Sequence, residues 1–127
     1  MRKLLIALLL GTPVFAFAAD KSIDFTQPLI SVDGKPLHIS GEKDSPVATL
    51  GDVSISALEA ISDEDRNLPG VEKFKRDKLA RFIYMNKAAV LSPEDTALIK
   101  ERIGKIFGPA VIGAAWPLFG PVSTEIK

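Results

Sequence analysis

The sequence predicts a mainly α fold, a small N-terminal β-hairpin followed by a compact bundle of about four helices, and three observations lead there. Between Lys21 and Ile39, apolar and polar residues alternate about an Asp33-Gly34 pair. From Thr49 to Ile106 the apolar period changes from two to three and four. Capping residues and a Gly108-Pro109 stop divide that stretch into pieces of ordinary helix length.

The chain opens on a basic head, Met1-Arg2-Lys3, followed by Leu4 to Phe17, apolar apart from Thr12. Ala16-Phe17-Ala18 then places small residues at the two positions that a signal peptidase recognises. Residues 1–18 are therefore expected to be a cleavable signal peptide, with the mature protein periplasmic or secreted. An uncleaved anchor is the weaker reading, because a spanning helix needs about 20 apolar residues and Gly11-Thr12-Pro13 interrupts this run. Three further segments follow: hairpin and linker over 19–46, a helical domain over 47–122 and a flexible C-terminal tail over 123–127.

Cleavage removes Arg2 and Lys3, so the 16 basic residues of the whole chain become 14 against 16 acidic ones. A mature chain with a formal charge near −2 lacks the basic footprint of a nucleic-acid binder. Many small exported domains rely on disulfides, but this chain has no cysteine, so packing or a partner must stabilise it.

In the hairpin, Ile30 and Val32 precede the Asp33-Gly34 turn and Leu37 and Ile39 follow it, which predicts one apolar face from these four and a tight primed turn between them. Pro28 and Pro36 lack an N–H and suit an edge. Ser40 to Pro46 reads as a linker. Thr49 and Asp52 resemble a capping box, and Leu50, Val53, Ala57 and Ile61 form the buried face of the helix that follows. "SDEDRNLPG" supplies the turn residues that end it.

From Val71 to Asn86, the residues Val71, Phe74, Leu79, Phe82 and Met85 share an arc of about 140°, which predicts the core face of a second helix. The cations of this segment alternate with acids, and Glu72 and Asp77 stand four residues before Arg76 and Arg81. A solvated charged face is preferred to a binding patch. Ser92-Pro93-Glu94-Asp95 then has the N-cap, first-turn proline and dipole-complementing acids of a helix start, with Ile99, Ile103 and Ile106 as its inward stripe.

The apolar segment after Pro109 is expected to be a short helix in the centre of the bundle. Trp116 would then plug the core against Phe74, Phe82, Ile99 and Ile103, and Gly113 and Ala114 would face a close neighbour. The alternative is a docking or membrane-surface segment that exposes Trp116 with Phe119.

The succession "TLGDVSISAL", "EKFKRDKLARFIY", "LSPEDTALIKERIGKIFGPAVIGAAW" resembles a set of small uncharacterised proteins of tailed bacteriophages and prophages. These have an Asp-Gly-Lys hairpin followed by a compact helical domain. The likeness covers about residues 30 to 118 and carries no catalytic signature. It implies a phage- or prophage-derived origin, although the family members lack a signal peptide.

No residue pattern points to catalysis. Without cysteine and with one histidine, His38, thiol chemistry and a histidine-rich or thiolate zinc site are excluded. Asp63-Glu64-Asp65 lacks the ligand spacing of a calcium loop, and Gly104-Lys105 stands without the other glycines of a phosphate loop. No cofactor, metal or catalytic residue is assigned. The expected function is that of an exported non-enzymatic helical protein acting through protein–protein interaction, with an envelope or phage component as partner and no nucleic acid. Its candidate interaction surface is Trp116, Phe119, Lys73 and Arg76. A membrane-active or envelope-associated protein using residues 106–122, and a cell-envelope hydrolase, are the alternatives.

Overall fold

A computed structural model describes residues 22–120; the expected signal peptide and C-terminal tail lie outside the described residues. The fold is mainly α with a small antiparallel sheet. Strand β1 (Ile23–Asp24) is followed by α1 (Leu50–Glu59), a 3-10 turn (Asp63–Asp65), α2 (Gly70–Met85), β2 (Ala88–Ala89), α3 (Pro93–Ile106), α4 (Pro109–Ala115) and a 3-10 turn over Trp116–Phe119. β1 pairs with β2, Ile23 opposite Ala89, so the N-terminal strand closes on the connection between α2 and α3.

Helix α1 forms the middle of the structure. Its start satisfies the backbone donors that a helix end leaves open: Leu50 N–H donates to Gln27 O (2.8 Å), Gly51 N–H to Phe25 O (2.8 Å), and Asp52 N–H to Thr49 Oγ1 (3.1 Å). Thr49 N–H donates in turn to the Asp52 carboxylate, completing the expected capping box. Gly51 is needed for this approach, since a Cβ there would stand 3.0 Å from Phe25 O. Helices α2 and α3 both pack on α1 and make little contact with each other. The core therefore joins Leu50, Val53, Ala57 and Leu58 of α1 to Leu79 and Ile83 of α2 and to Ile99 and Ile103 of α3. Ile61, expected on the α1 face, lies beyond the end of that helix and is exposed.

The hairpin turns at Asp33-Gly34, but its loop is one residue longer than a primed two-residue turn. Ser31 N–H donates to Lys35 O (2.7 Å) and Gly34 N–H to Ser31 O (2.9 Å), enclosing Val32, Asp33 and Gly34, with Gly34 at φ +85°. This length sets the register: Ile30 faces Pro36, and Leu37 N–H donates to Leu29 O. The expected apolar face is thus corrected. Leu29 is buried with Leu37 half-buried on the same side, while Ile30 and Val32 turn to solvent and Ile39 is exposed beside the second turn. A shift of one residue exchanges the faces of a strand.

Residues 40–46 are that second turn rather than an open linker. Gly41 N–H donates to His38 O (3.0 Å), Ser45 N–H to Glu42 O (3.1 Å), and Ile39 N–H to Pro46 O (2.9 Å). His38 Nδ1 lies 2.7 Å from Ser45 O; a carbonyl only accepts, so Nδ1 carries the proton. Three passes of the chain then close a ring: Leu37 N–H to Leu29 O, Leu29 N–H to Ala48 O, Ala48 N–H to Leu37 O, each at 2.8–2.9 Å. The ring rests on α1 through Leu29 and Ala48, both buried.

Helix α4 is corrected from the centre to the flank. It packs along α3 rather than between the helices, with Ala115 its one fully buried residue, and a Cβ on Gly113 would meet open space.

Candidate interaction groove

The groove owes its position to the rotation of α2, which is set by a buried ion network. Asp65 ends the 3-10 turn after α1, and its carboxylate accepts from Ser62 N–H and Ser62 Oγ, both at 2.9 Å. Arg76 of α2 stands 3.2 Å from one carboxylate oxygen, and Arg102 of α3 3.1 Å from the other. Arg102, itself only 1 % exposed, also donates to Ala57 O (3.2 Å) and Ala60 O (2.9 Å), the carbonyls that the end of α1 leaves free. One carboxylate and two guanidinium groups thus tie α1, α2 and α3 together.

The Ser62 backbone N–H, with Arg76 and Arg102 beside it, holds the Asp65 carboxyl well below the usual carboxylate range. A depressed folded-state pKa stabilises the fold in full above the unfolded value, near 4, and that contribution is lost as the pH falls below it. Asp65→Asn should therefore melt below the parent at pH 6, and the gap should close steadily between about pH 4 and pH 2. A gap of constant size across that range would show that Asp65 does not titrate with folding.

Drawing Arg76 inward turns Arg76, Leu79, Ala80 and Ile83 toward α1. These four span an arc of about 100°. The arc expected to be buried is thereby displaced to the surface: of Val71, Phe74, Leu79, Phe82 and Met85, only Leu79 is buried, and Val71, Phe74 and Met85 are 64 %, 65 % and 75 % exposed. The intrahelical pair Asp77–Arg81 is present at 2.6 Å. The expected partner of Arg76, Glu72, instead reaches Lys75 at 3.5 Å.

Because α2 and α3 both lean on α1, they leave a cleft of about 400 Å³ between α2 and the segment from Val90 to Leu98. Leu79, Leu91 and Leu98 line it deeply, Phe82 and Val90 flank it, and the exposed stripe of α2 continues from its edge. Its two rims differ in charge. Lys75 and Lys78 stand on the α2 side, Ser92 and Asp95 on the α3 side, and Lys78 makes no ion pair among the described residues.

The four residues singled out from sequence do not form one surface. Lys73 is exposed on α2, whereas Arg76 is withdrawn into the ion network. Trp116 is half-buried on the outer side of α3, not against Phe74 and Phe82, which are exposed. Its Nε1–H donates to Lys100 O (3.1 Å), the Lys100 ammonium lies 5.3 Å from the ring centroid, and Gly104 leaves room for the ring edge. Phe119 is half-buried beside the core. Trp116→Ala should cost about 2–3 kcal/mol in thermal or urea unfolding, less than the roughly 3–5 kcal/mol of a fully buried tryptophan. A melting temperature equal to the parent's would mean that the indole supports nothing.

Arg102 and Asp65, the residues that orient the groove, were not identified from sequence. The available signal was an arginine at position 102 inside the Ile99–Ile103–Ile106 stripe, where an apolar residue is expected. Every acid of Asp63-Glu64-Asp65 faces a cation: Asp63 pairs with Arg66 at 3.3 Å, Glu64 with Lys105, and Asp65 as above. Among the described residues no cluster suits a metal ion, and no helix is long and apolar enough to cross a membrane. Comparison with protein-family models, with curated proteins and with solved structures found no match for this chain.

Proposed function

We propose that this is an exported, non-enzymatic interaction protein, released by cleavage after Ala18, that binds another protein through the stripe and groove of α2. The observation that carries the reading is the stripe itself. Val71, Phe74, Phe82 and Met85 lie on one side of a well-formed helix, outside the core and along an apolar cleft. A contiguous exposed apolar patch rimmed by charge is the signature of a binding surface. An envelope or phage component is the partner class that export and the phage resemblance favour. The rival surface at residues 106–122 is supported less, because Val111, Ile112, Trp116, Leu118 and Phe119 pack against the core.

Site-specific photo-crosslinking in the periplasm tests the proposal. A photoreactive residue at position 82 should yield a discrete adduct with another protein, and one at position 63, on the exposed 3-10 turn, should not. Phe74→Asp should abolish the adduct while leaving the melting temperature within about 2 °C, because this side chain is mostly exposed. Equal labelling from both positions, or an adduct indifferent to Phe74→Asp, would refute the α2 surface.

A further inference from the structure

We infer that the occupant of the groove is an amphipathic helix of another protein, with carboxylates along the one flank that lies over Lys75 and Lys78. The inference rests on the reading that the groove binds protein and adds the chemistry of the partner. Shape comes first. The stripe from Val71 to Met85 runs for about 21 Å at 1.5 Å per residue, roughly four turns, and the cleft beside it is bounded by α2 and by the segment from Val90 to Leu98 that leads into α3, both helices resting on α1. A third helix laid between them would present apolar residues at three- and four-residue spacing to Phe74, Leu79, Phe82 and Leu98.

Charge then selects the helix. Lys78 is the one ionic residue within the stripe and stands at its midpoint, seven residues from either end. Covering the stripe removes water from its ammonium, which is costly unless a carboxylate takes the water's place. Both acids of α2 are already engaged, Glu72 by Lys75 and Asp77 by Arg81. The missing carboxylate must come from the partner. Asp95 on the opposite rim requires the partner's other flank to be neutral or basic, so the charge pattern also fixes the direction in which the helix lies.

The same lysine argues against the other two occupants. A second copy docking its own stripe about a two-fold axis, antiparallel and centred, would set Lys78 against Lys78 inside a closing apolar contact. An anionic bilayer would attract the lysines, but a flat surface would leave the cleft unfilled and bring Asp95 toward lipid phosphates.

The test uses the mature protein and two labelled helical peptides of about 16 residues with identical apolar positions. One carries glutamates on one flank and glutamines on the other; the second has lysines in place of the glutamates. By fluorescence anisotropy at low salt, the acidic-flank peptide should bind at least about tenfold more tightly than the basic one, and added salt should narrow the difference. Lys78→Glu should reverse the order while leaving the melting curve unchanged, and Phe82→Asp should abolish binding of either peptide. Equal binding of both peptides, still lost in Phe82→Asp, would overturn the charge assignment and leave the groove reading intact. No saturable binding of either, alongside a specific crosslink from position 82, would overturn the helical partner alone; loss of that crosslink too would remove the groove reading. A dimer in sedimentation that Phe82→Asp dissociates would assign the groove to a second copy. Flotation with phosphatidylglycerol vesicles, lost in Lys78→Glu, would assign it to lipid. Either result overturns the inference.

Discussion

Replacing Arg102 with alanine should destabilise the protein by about 3–5 kcal/mol, the range for breaking a buried ion pair from one side. The reason is arithmetic of partners rather than of one contact. Among the described residues Arg102 alone donates to both Ala57 O and Ala60 O, and it supplies one of the two cations on Asp65. Alanine would leave two helix-end carbonyls without donors and take one of two cations from a buried carboxylate that keeps only Ser62 and Arg76, in a site that the arginine had filled. A small domain has roughly 5–15 kcal/mol in all, so much of the variant should be unfolded at physiological temperature. Urea unfolding of Arg102→Ala, Arg102→Lys, Asp65→Ala and the double variant Arg102→Ala/Asp65→Ala would check this. Lysine should rescue little, because an ammonium cannot span Ala57 O, Ala60 O and Asp65 in the geometry of a guanidinium. The double variant should lose less than the two single losses combined, since removing Asp65 removes the charge that Arg102→Ala strands. Additive losses would show that the network is not coupled.

What the sequence made legible follows from the range over which each feature is determined. The start of α1 at Thr49 and of α3 at Ser92 was readable, because a cap bonds to a backbone donor three residues away. The stop at Gly108-Pro109 was readable for the same reason. The rotation of α2 was not. Its strongest apolar arc centres near Phe82, and period alone points that arc inward; the arc instead faces solvent because Arg76 is held by an acid eleven residues earlier and Leu79, Ala80 and Ile83 turn in with it. The candidate site was lost by the same step, since the residues assigned to the core are those left free to bind. Trp116 was assigned to the centre on size and apolarity, yet its indole N–H found Lys100 O on the outer turn of α3, a partner that spacing along the chain does not announce. Arg76 and Trp116 show the common cause: a polar group that finds a distant partner can overrule an apolar pattern.

Leu29→Ala should cost about 2–5 kcal/mol, whereas Ile30→Ala should change stability by less than about 0.5–1 kcal/mol, although the two are neighbours of nearly equal apolarity. Leu29 is fully buried at the point where the hairpin ring meets α1, and Ile30 is 46 % exposed. The contrast isolates the register, which rests on a loop of three residues held by Gly34 at φ +85°. Gly34→Val should therefore destabilise as well, by about 1–2 kcal/mol, because a β-branched residue resists positive φ even where space is open. The sharper test is to insert one serine between Ser31 and Val32. With the three-residue loop kept, the inserted residue pairs with Lys35, which places Ile30 opposite Leu37 and exchanges the faces of the first strand. In the insertion variant the ranking should invert, with alanine at position 30 costing more than alanine at position 29. Should Leu29→Ala remain the more damaging substitution after the insertion, the burial of Leu29 would be set by the chain leading into α1, where its N–H is held by Ala48 O, and not by the turn.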